Sequence, residues 1–286
     1  MFVGVALRLQ KEIPGGIILD QYRNVCWAYY IHTPLFTHSV QINNPLAHEL
    51  TTAPEIIAAV TSTPPTPVHP SSGKVDVFVA AAGTGGTISG VAKGIKKAHN
   101  PDCIVVGVDP VSHFVVPREN HDLHVHVFTQ VGSVLALPAS LNETGKGCPS
   151  VVEGIGHDFT PDVLTREPDM INGWVKSNDT DAFAAVQLLM RHEGALVGGS
   201  SGSALAGALE WLRSEKGREI SQTPGKNVVI LLPDGCVQMT SVSIPFSDFV
   251  TRWRQQAEKL HWQGLVPRDR SSTGAHGTCK AYCRGA

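Results

Sequence analysis

The chain has 286 residues, 42% of them hydrophobic, and a formal net charge of −2 at pH 7. This length and composition indicate one large α/β domain or two smaller ones with a substantial core. Lys and Arg occur in runs of at most two, which argues against a nucleic-acid or anionic membrane surface. Apolar runs such as VVILL at 228–232 are too short to cross a bilayer. We therefore predict a cytoplasmic protein without membrane contact.

The first predicted elements are a helix around 55–60 and a proline-rich loop over 62–73 that ends it. An apolar strand over 75–82, a helix over 87–97 and a second strand over 103–109 follow. This order is that of a βαβ unit. It predicts an α/β fold with a mostly parallel sheet and flanking helices.

Later segments continue the alternation. We predict an amphipathic helix over 179–192, a helix over 203–215 and a buried strand over 227–234. Apolar periodicity is lost after that strand, so 235–286 is expected to be a disordered tail.

A glycine-rich loop joins the strand over 75–82 to the helix that follows it. At such a junction, unhindered backbone N–H groups and the helix dipole converge on one point, which favours binding of a phosphate. Threonine hydroxyls add further donors. The residues concerned are Gly83, Thr84, Gly85, Gly86 and Thr87, called here the phosphate loop.

A dinucleotide is one candidate ligand of the phosphate loop. Gly83 and Gly85 begin a Rossmann fingerprint, and Asp109 ends the next strand where a ribose-binding acid is expected. The third glycine position, however, is Ile88, which weakens this interpretation.

Another motif, a hydrolase pattern, has a simpler structural explanation. Residues 198–202 satisfy the G-x-S-x-G pattern of hydrolases, with Asp234 and His261 following in hydrolase order. Ser200 and Ser201 are explained better as the cap of the helix that follows them.

A metal site is also disfavoured. His121, His124 and His126 lie close together, yet no cysteine or carboxylate pattern completes a zinc site. The six cysteines form no CxxC pair, so we predict free thiols and no disulfide framework.

Segments between residues 3 and 234 recur in the order of one enzyme family. They are VGVALRLQKEIPGGIILDQYRN, NPLAHELTTAPEI, VDVFVAAAGTGGTISG, IVVGVDP, VVEGIGHDF, VKSNDTDAF, EGALVGGSSGSALAGAL and NVVILLPD. Together they resemble the cysteine synthase/cystathionine β-synthase family of fold-type-II pyridoxal-phosphate enzymes, and the cystathionine β-synthases in particular. The resemblance implies that residues 1–234 form part of a pyridoxal-phosphate-dependent catalytic core.

The resemblance also implies roles for individual residues. The phosphate loop would hold the phosphate of pyridoxal 5'-phosphate, and Tyr22 would face the substrate pocket together with the turn that carries Gly154 and Gly156. Gly235 would fill the family position beside the pyridine nitrogen, although the segment after it departs from the family pattern.

By this resemblance the expected reaction is β-replacement on serine, with homocysteine as the thiol and cystathionine as the product. The alternatives are a cysteine synthase with a sulfide acceptor, and a non-catalytic fragment that binds phosphate compounds. The DQYRN and EGIGHDF segments favour the first reaction. A homodimer is a further expectation from the family.

The family carries its cofactor on a lysine of an N-terminal segment, and no lysine of this sequence sits in that motif. We therefore expect a truncated chain that is inactive by itself. Lys93, Lys96 and Lys97 are predicted on the exposed side of a helix.

Two segments interrupt the family pattern. Removing 25–41 joins DQYRN to INNPLAHE, and removing 111–130 joins VGVDP to VGSVLALP. Each segment opens with Val and ends with Gln, as a translated GT–AG intron would. We interpret both as translated introns, with two surface loops as the alternative.

Overall fold

The computed structural model describes residues 2–18, 20–23, 43–112, 118–120, 125–127, 132–143 and 152–235. The insert at 25–41, the tail beyond Gly235, His261, His121 and His124 lie outside these ranges. Cys103, which lies within them, is a buried free thiol. In the ranges described, no helix combines the length and the apolar character needed to cross a membrane.

Helices and strands alternate along most of the described chain. The helices are α1 (Phe2–Glu12), α2 (Asn43–Ala47), α3 (Ala53–Ser62), α4 (Gly86–Ala98), α5 (Asp179–Leu188), α6 (Gly199–Leu212) and α7 (Glu215–Gln222). The strands are β1 (Val77–Ala81), β2 (Ile104–Pro110), β3 (Arg118–Asn120), β4 (Val125–Val127), β5 (Gly173–Ser177) and β6 (Val228–Ile230). Two π-helical turns (His48–Thr52 and Leu189–Glu193) and a 3-10 turn (Ala139–Glu143) complete the elements.

The main sheet has the strand order β5-β2-β1-β6, and its neighbouring strands run parallel. β3 and β4 form a separate antiparallel pair inside the segment 111–130. The predicted βαβ unit is present, because β1 leads through α4 into its parallel neighbour β2. The carboxyl ends of β1, β2 and β6 therefore meet at one edge of the sheet.

Side chains of β1 alternate between two apolar layers, as the period of a strand requires. Phe78 and Ala80 pack into the layer formed with α3 and α4, and Val77 and Val79 pack into the layer formed with α6. All of these side chains are fully buried. Helices thus cover both faces of a parallel sheet, and the predicted α/β class is confirmed.

Most predicted helix bounds agree with the structure to within a few residues. The helix predicted over 87–97 is α4, and the one predicted over 179–192 is α5 with its π-helical extension. The prediction over 203–215 was wrong at its start, because α6 begins at Gly199 with Gly198 as its N-cap. Closely spaced glycines lower intrinsic helix propensity, which made the first turn of α6 read as a loop.

α4 presents three glycines, spaced four residues apart, to the helical segment that runs from α2 through the turn His48–Thr52 into α3. We call Gly86, Gly90 and Gly94 the glycine strip. A Cβ atom added at any of them would overlap the facing segment. The groups met first are the Asn44 side chain, the Pro45 carbonyl oxygen and the Ala53 methyl group, in that order. The strip therefore permits very close packing of the two helical segments.

Candidate cofactor site

The phosphate loop leaves the carboxyl end of β1 and enters the first turn of α4. Gly85 is the N-cap of α4 and has a left-handed backbone with φ of +83°. L-residues with a side chain rarely adopt this conformation, which explains the glycine. The first N–H groups of an α-helix have no partner within the helix, so the loop and α4 direct backbone donors toward one point.

Thr84 is held by a side chain from α2. Asn44 Nδ2 donates to Thr84 Oγ1 at 3.1 Å and to the Gln21 carbonyl oxygen at 2.8 Å. The Gly86 N–H also donates to Thr84 Oγ1, at 3.3 Å. One amide thus fixes the phosphate loop against the segment that carries Tyr22.

Thr87 is held by the π-helical turn. Its Oγ1 lies 3.0 Å from His48 Nε2, and the other ring nitrogen, Nδ1, lies 2.9 Å from Thr52 Oγ1. Burial lowers the pKa of His48 from its ordinary value. The imidazole therefore favours its neutral form and links two hydroxyl groups.

The turn that carries Gly154 and Gly156 lies against the phosphate loop. Both glycines have positive φ, +82° and +77°, and the Gly156 N–H donates to the Ala82 carbonyl oxygen at 2.9 Å. A Cβ atom on Gly83 would overlap the Gly154 carbonyl oxygen. The structure thus brings together two glycine motifs that lie about seventy residues apart in the sequence.

Tyr22 belongs to an aromatic cluster next to that turn. Its ring centroid lies 5.2 Å from that of His157 and 5.3 Å from that of Phe159, with edge-to-face geometry in both pairs. The Val163 N–H donates to the Tyr22 carbonyl oxygen at 3.2 Å. The cluster begins directly after Gly156, so Tyr22 and the glycine turn are neighbours.

Gly235 follows β6, the strand beside β1, and forms an isolated antiparallel bridge with Val197. It is connected to the phosphate loop through the paired strands β6 and β1. The preceding residue, Asp234, accepts the Gly198 N–H at its carbonyl oxygen at 3.1 Å. The start of α6 therefore fixes the position of Gly235.

The hydrolase pattern at 198–202 has a structural role. Ser200 Oγ donates directly to Asp234 Oδ1 at 2.6 Å, and Ser201 Oγ donates to the same oxygen at 3.1 Å. Both serines are buried in the first turn of α6, so the prediction that they form its cap was wrong. A serine bound directly to the carboxylate has no histidine between them, as a triad would require.

Asp109 does not have the geometry of a ribose-binding acid. Its carboxylate is fully buried, accepts from Lys176 Nζ at 2.7 Å and from the Ala136 N–H at 3.0 Å, and also accepts from Ser133 Oγ. These donors occupy the carboxylate and shield it from solvent. The dinucleotide interpretation therefore fails at this residue.

Several lysines in the described part of the chain have partners of their own. Each of them donates to a carboxylate or a carbonyl oxygen, so its amine is engaged in the fold. The pairs are Lys93 and Lys97 with Glu49, Lys96 with the Cys103 carbonyl oxygen, Lys176 with Asp109 and Lys226 with Asp76. Lys93 and Lys97 are exposed as predicted, whereas Lys96 is half-buried.

The three neighbouring histidines, for which no metal site is predicted, fall largely outside the described ranges, with only His126 inside them. Within those ranges, no group of three or more His, Cys, Asp or Glu side chains is placed to hold a metal ion.

A family model described as pyridoxal-phosphate dependent enzyme matches residues 4–234. The chain belongs to this family. The resemblance found in the sequence is thereby confirmed, as are the fold class and the cofactor, pyridoxal phosphate.

Curated relatives of the chain include several cystathionine β-synthases. The chain is 40% identical over 232 residues to that of Rattus norvegicus, with 81% of this chain and 31% of the relative covered. It is 39% identical over 269 residues to that of Dictyostelium discoideum, with 91% and 42% covered. It is 34% identical over 232 residues to that of Saccharomyces cerevisiae, with 81% and 36% covered. The chain thus spans less than half the length of these relatives.

The phosphate loop fits the phosphate group of pyridoxal phosphate. The loop supplies two threonine hydroxyls and the N-terminus of α4, a combination that suits a dianionic group. A Cβ atom on Gly83, Gly85 or Gly86 would overlap protein atoms, so the backbone must be bare at each position. Packing within the protein thus requires these glycines, and their bare backbone also allows a phosphate to approach the N–H groups closely.

Sequence reasoning missed Asn44 and His48. Both lie in the segment NPLAHE, which was assigned to the family without a role for either residue. They stand four residues apart, as Gly86 and Gly90 do on α4. That spacing places both residues on one helical face, but no local feature of the sequence shows that this face packs on the phosphate loop.

Proposed function

We propose that the phosphate loop binds pyridoxal phosphate and that the complete catalytic core replaces the β-hydroxyl of serine with the thiol of homocysteine. A Cβ–O bond breaks, a Cβ–S bond forms, and cystathionine and water leave, with no net oxidation or reduction. The observation that carries the proposal is the contact between the phosphate loop and the Gly154 turn beside Tyr22. The names of the curated relatives support the choice of reaction.

In this proposal the residues of this chain bind the cofactor and orient it. When bound, pyridoxal phosphate withdraws electrons from the α-carbon of an amino acid, so that the α-proton and the β-hydroxyl can leave. The phosphate loop and the N-terminus of α4 hold the phosphate. Asn44 holds the Thr84 hydroxyl and the turn at Gln21, next to Tyr22, in place relative to each other. Gly235, placed by the start of α6, lies beside the cofactor ring in this proposal.

The substrate side of the site is formed by the turn at Gly154 and Gly156 and by the cluster of Tyr22, His157 and Phe159. The positive φ angles of the two glycines turn the backbone sharply and keep Cβ atoms away from the pocket. In this proposal the substrate side chain packs against the wall formed by the three rings, where Phe159 is 40% exposed. This wall suits the methylene chain of homocysteine better than it suits a bare sulfide ion.

A polypeptide of these 286 residues is proposed to bind the cofactor without reacting. Five of the described lysines, Lys93, Lys96, Lys97, Lys176 and Lys226, are engaged with carboxylates or carbonyl oxygens. We expect one equivalent of pyridoxal phosphate to bind reversibly, and borohydride reduction to leave no pyridoxyl group on a specific lysine. A single pyridoxyl-lysine found by peptide mass spectrometry would contradict this.

The reaction is tested with the mature protein encoded by the locus, including any segment that precedes these residues. With serine and homocysteine we expect cystathionine, measured by mass spectrometry, and the variant Gly85→Val should lose both product and cofactor. Exclusive reaction with sulfide would replace the proposal with a cysteine synthase. Cystathionine from the 286-residue polypeptide alone would refute its predicted inactivity.

The mature protein is also proposed to be a cytoplasmic homodimer. The exposed apolar side chains of α1 support a contact with a second subunit, because Val5, Leu7 and Leu9 are each 42% exposed. Sedimentation velocity should give the dimer mass, and cell fractionation should place the protein in the cytosol. A monomer at micromolar concentration would contradict the first expectation.

We propose that the segments 25–41 and 111–130 are translated introns. The second segment supports this, because Ser112 and Gly132 pair in an antiparallel bridge across its base. The chain before and after the segment therefore comes close together near Ser112 and Gly132, and removing the segment leaves ends that can be joined. Sequenced transcripts should lack both segments. Mature messages that retain them would show that they are genuine loops.

A further inference from the structure

His48 occupies an unusual position between two hydroxyl groups on different helical segments. Its Nε2 lies 3.0 Å from Thr87 Oγ1 in the phosphate loop, and its Nδ1 lies 2.9 Å from Thr52 Oγ1. His48 is half-buried, and its Cβ lies close to Gly90 of the glycine strip. The imidazole is therefore held in place between Thr52 and Thr87.

The two tautomers of a neutral His48 have different effects on Thr87. If Nδ1 carries the proton, Nε2 accepts the hydroxyl hydrogen of Thr87, and that hydrogen is no longer available to a ligand. If Nε2 carries the proton, it donates to Thr87 Oγ1, and the hydroxyl hydrogen turns away from His48. The second arrangement provides the phosphate loop with one more hydrogen-bond donor.

We propose that His48 is a positioning residue that directs the Thr87 hydroxyl toward the bound phosphate, and that phosphate binding selects the His48 tautomer protonated at Nε2. This inference rests on the proposed function of the phosphate loop. Thr52 completes the arrangement, because its hydroxyl can donate to Nδ1 in that tautomer. Thr52, His48 and Thr87 then form a chain of hydrogen bonds that ends at the anion.

Among the residues that the structure describes, no carboxylate pairs with the His48 imidazole. Glu49, the next residue, is bound to Lys93 at 2.7 Å and to Lys97 at 3.5 Å on the adjoining α4. A protonated His48 also donates from Nε2, so phosphate binding should raise the pKa of His48 relative to the free protein. By linkage, phosphate affinity should rise as the pH falls through the His48 pKa, until the phosphate itself takes up a proton.

The test compares the 286-residue wild type with the variants His48→Leu and His48→Gln. Leucine removes the ring donor, whereas the glutamine amide places a donor at about the distance of Nε2. His69→Gln, in the exposed loop after α3, is the matched control. Binding of pyridoxal phosphate and of inorganic phosphate is measured by calorimetry, and circular dichroism checks that each variant folds.

We expect His48→Leu to weaken binding of both probes about tenfold, the order of one hydrogen bond to a charged group. His48→Gln should bind nearly as the wild type does. In a Thr87→Val background, His48→Leu should have little further effect, because the hydroxyl it positions is gone. Equal affinity of His48→Leu and wild type, or an unchanged loss in the Thr87→Val background, would overturn the proposal.

A second measurement uses the wild type alone and remains valid if His48→Leu does not fold. Nitrogen NMR of a protein labelled at histidine distinguishes the two tautomers, and His48→Gln assigns the signal. Adding phosphate should shift the His48 signals toward protonation at Nε2. Binding without this shift would refute the His48 inference alone, whereas a wild type that binds neither probe would refute the proposed cofactor site as well.

Discussion

The amine of Lys176 lies 2.7 Å from Asp109 Oδ2, and the two side chains are only 7% and 0% exposed. The pair is part of a longer connection, because Asp109 also accepts from Ser133 Oγ, and Ser133 Oγ accepts the His157 N–H at 2.9 Å. A buried ion pair at the carboxyl end of β2 thus holds the residue that contacts Tyr22.

Lys176→Met should destabilise the protein strongly. It leaves the Asp109 carboxylate buried without its cation, a change that costs about 3–5 kcal/mol. Urea denaturation followed by circular dichroism gives the change in the free energy of unfolding. The control is Arg213→Met, which breaks an ion pair with side chains 70% and 63% exposed and should cost less than about 1 kcal/mol. Similar losses in both variants would contradict the structural role of Lys176.

Gly85→Ala should impair both folding and phosphate binding. The backbone at Gly85 is left-handed, and a Cβ atom would lie 2.5 Å from Leu164 Cδ1. Gly194→Ala separates the two effects, because Gly194 has φ of +68° and open space around it. That control should cost about 1–2 kcal/mol from the left-handed backbone alone.

The collision can be tested by a double-mutant cycle with Leu164→Ala. If the Leu164 side chain causes the excess loss, Gly85→Ala should cost less in the Leu164→Ala background than in the wild type. An equal cost in both backgrounds would assign the effect to the backbone and to Leu164 Cβ, which would lie 2.6 Å from the added methyl group and is retained in Leu164→Ala. Thermal unfolding followed by circular dichroism is sufficient for the comparison.

Gly94→Ala should destabilise the protein although alanine stabilises an isolated helix by about 1 kcal/mol relative to glycine. The added methyl group would lie 2.5 Å from Ala53 Cβ across the glycine strip. Ala53→Gly removes that methyl group, so the penalty of Gly94→Ala should shrink in the Ala53→Gly background. A coupling energy near zero in thermal or urea denaturation would contradict the close packing of α3 on α4.

Asp76 should make stability depend on pH in the acid range. Burial by itself would raise the pKa of Asp76, but hydrogen bonds from Lys226, Ser72 and the Asn227 N–H outweigh burial and hold that pKa below its ordinary value. A depressed folded-state pKa means that the carboxylate stabilises the protein above the ordinary value, about 3.9. This contribution is lost as the pH falls through the folded-state pKa.

The free energy of unfolding of the wild type, measured from pH 7 to pH 3, should therefore fall below about pH 4. Asp76→Asn should be less stable at neutral pH and should show a weaker decline in the acid range. Asp102→Asn, an exposed aspartate in the turn before β2, serves as control and should keep the wild-type decline. A wild-type curve and an Asp76→Asn curve of the same shape would contradict the role of Asp76.

The sheet, the helices that flank it and the phosphate loop could be predicted because their signals are local. The alternation of β1 and the spacing of apolar residues in α4 are each complete within a short window of sequence. The loop was recognised in the same way, since its glycines and threonines are adjacent. Conversely, the first turn of α6 was missed because glycine propensity opposed a helix that is stabilised by packing and by Asp234.

The side chains that hold the site in place could not be predicted, because their hydrogen-bond and ion-pair partners are distant in sequence. Asn44 lies 40 residues before Thr84, His48 lies 39 residues before Thr87, and Lys176 lies 67 residues after Asp109. No periodicity within a window connects such pairs. The misassignment of Asp109 has this cause, since its position at a strand end was visible and its buried lysine was not.

The glycine strip has a mechanical consequence. Along the glycine strip, about two helical turns, α4 packs directly on the Asn44 side chain, the Pro45 carbonyl oxygen and the Ala53 methyl group, which leaves little room for either helical segment to shift alone. A displacement of the segment from α2 to α3, whether at Ala53 or at His48, should therefore also move α4 and Gly86 in the phosphate loop. Substitutions in that segment, well away from the cofactor, should then change the affinity for phosphate.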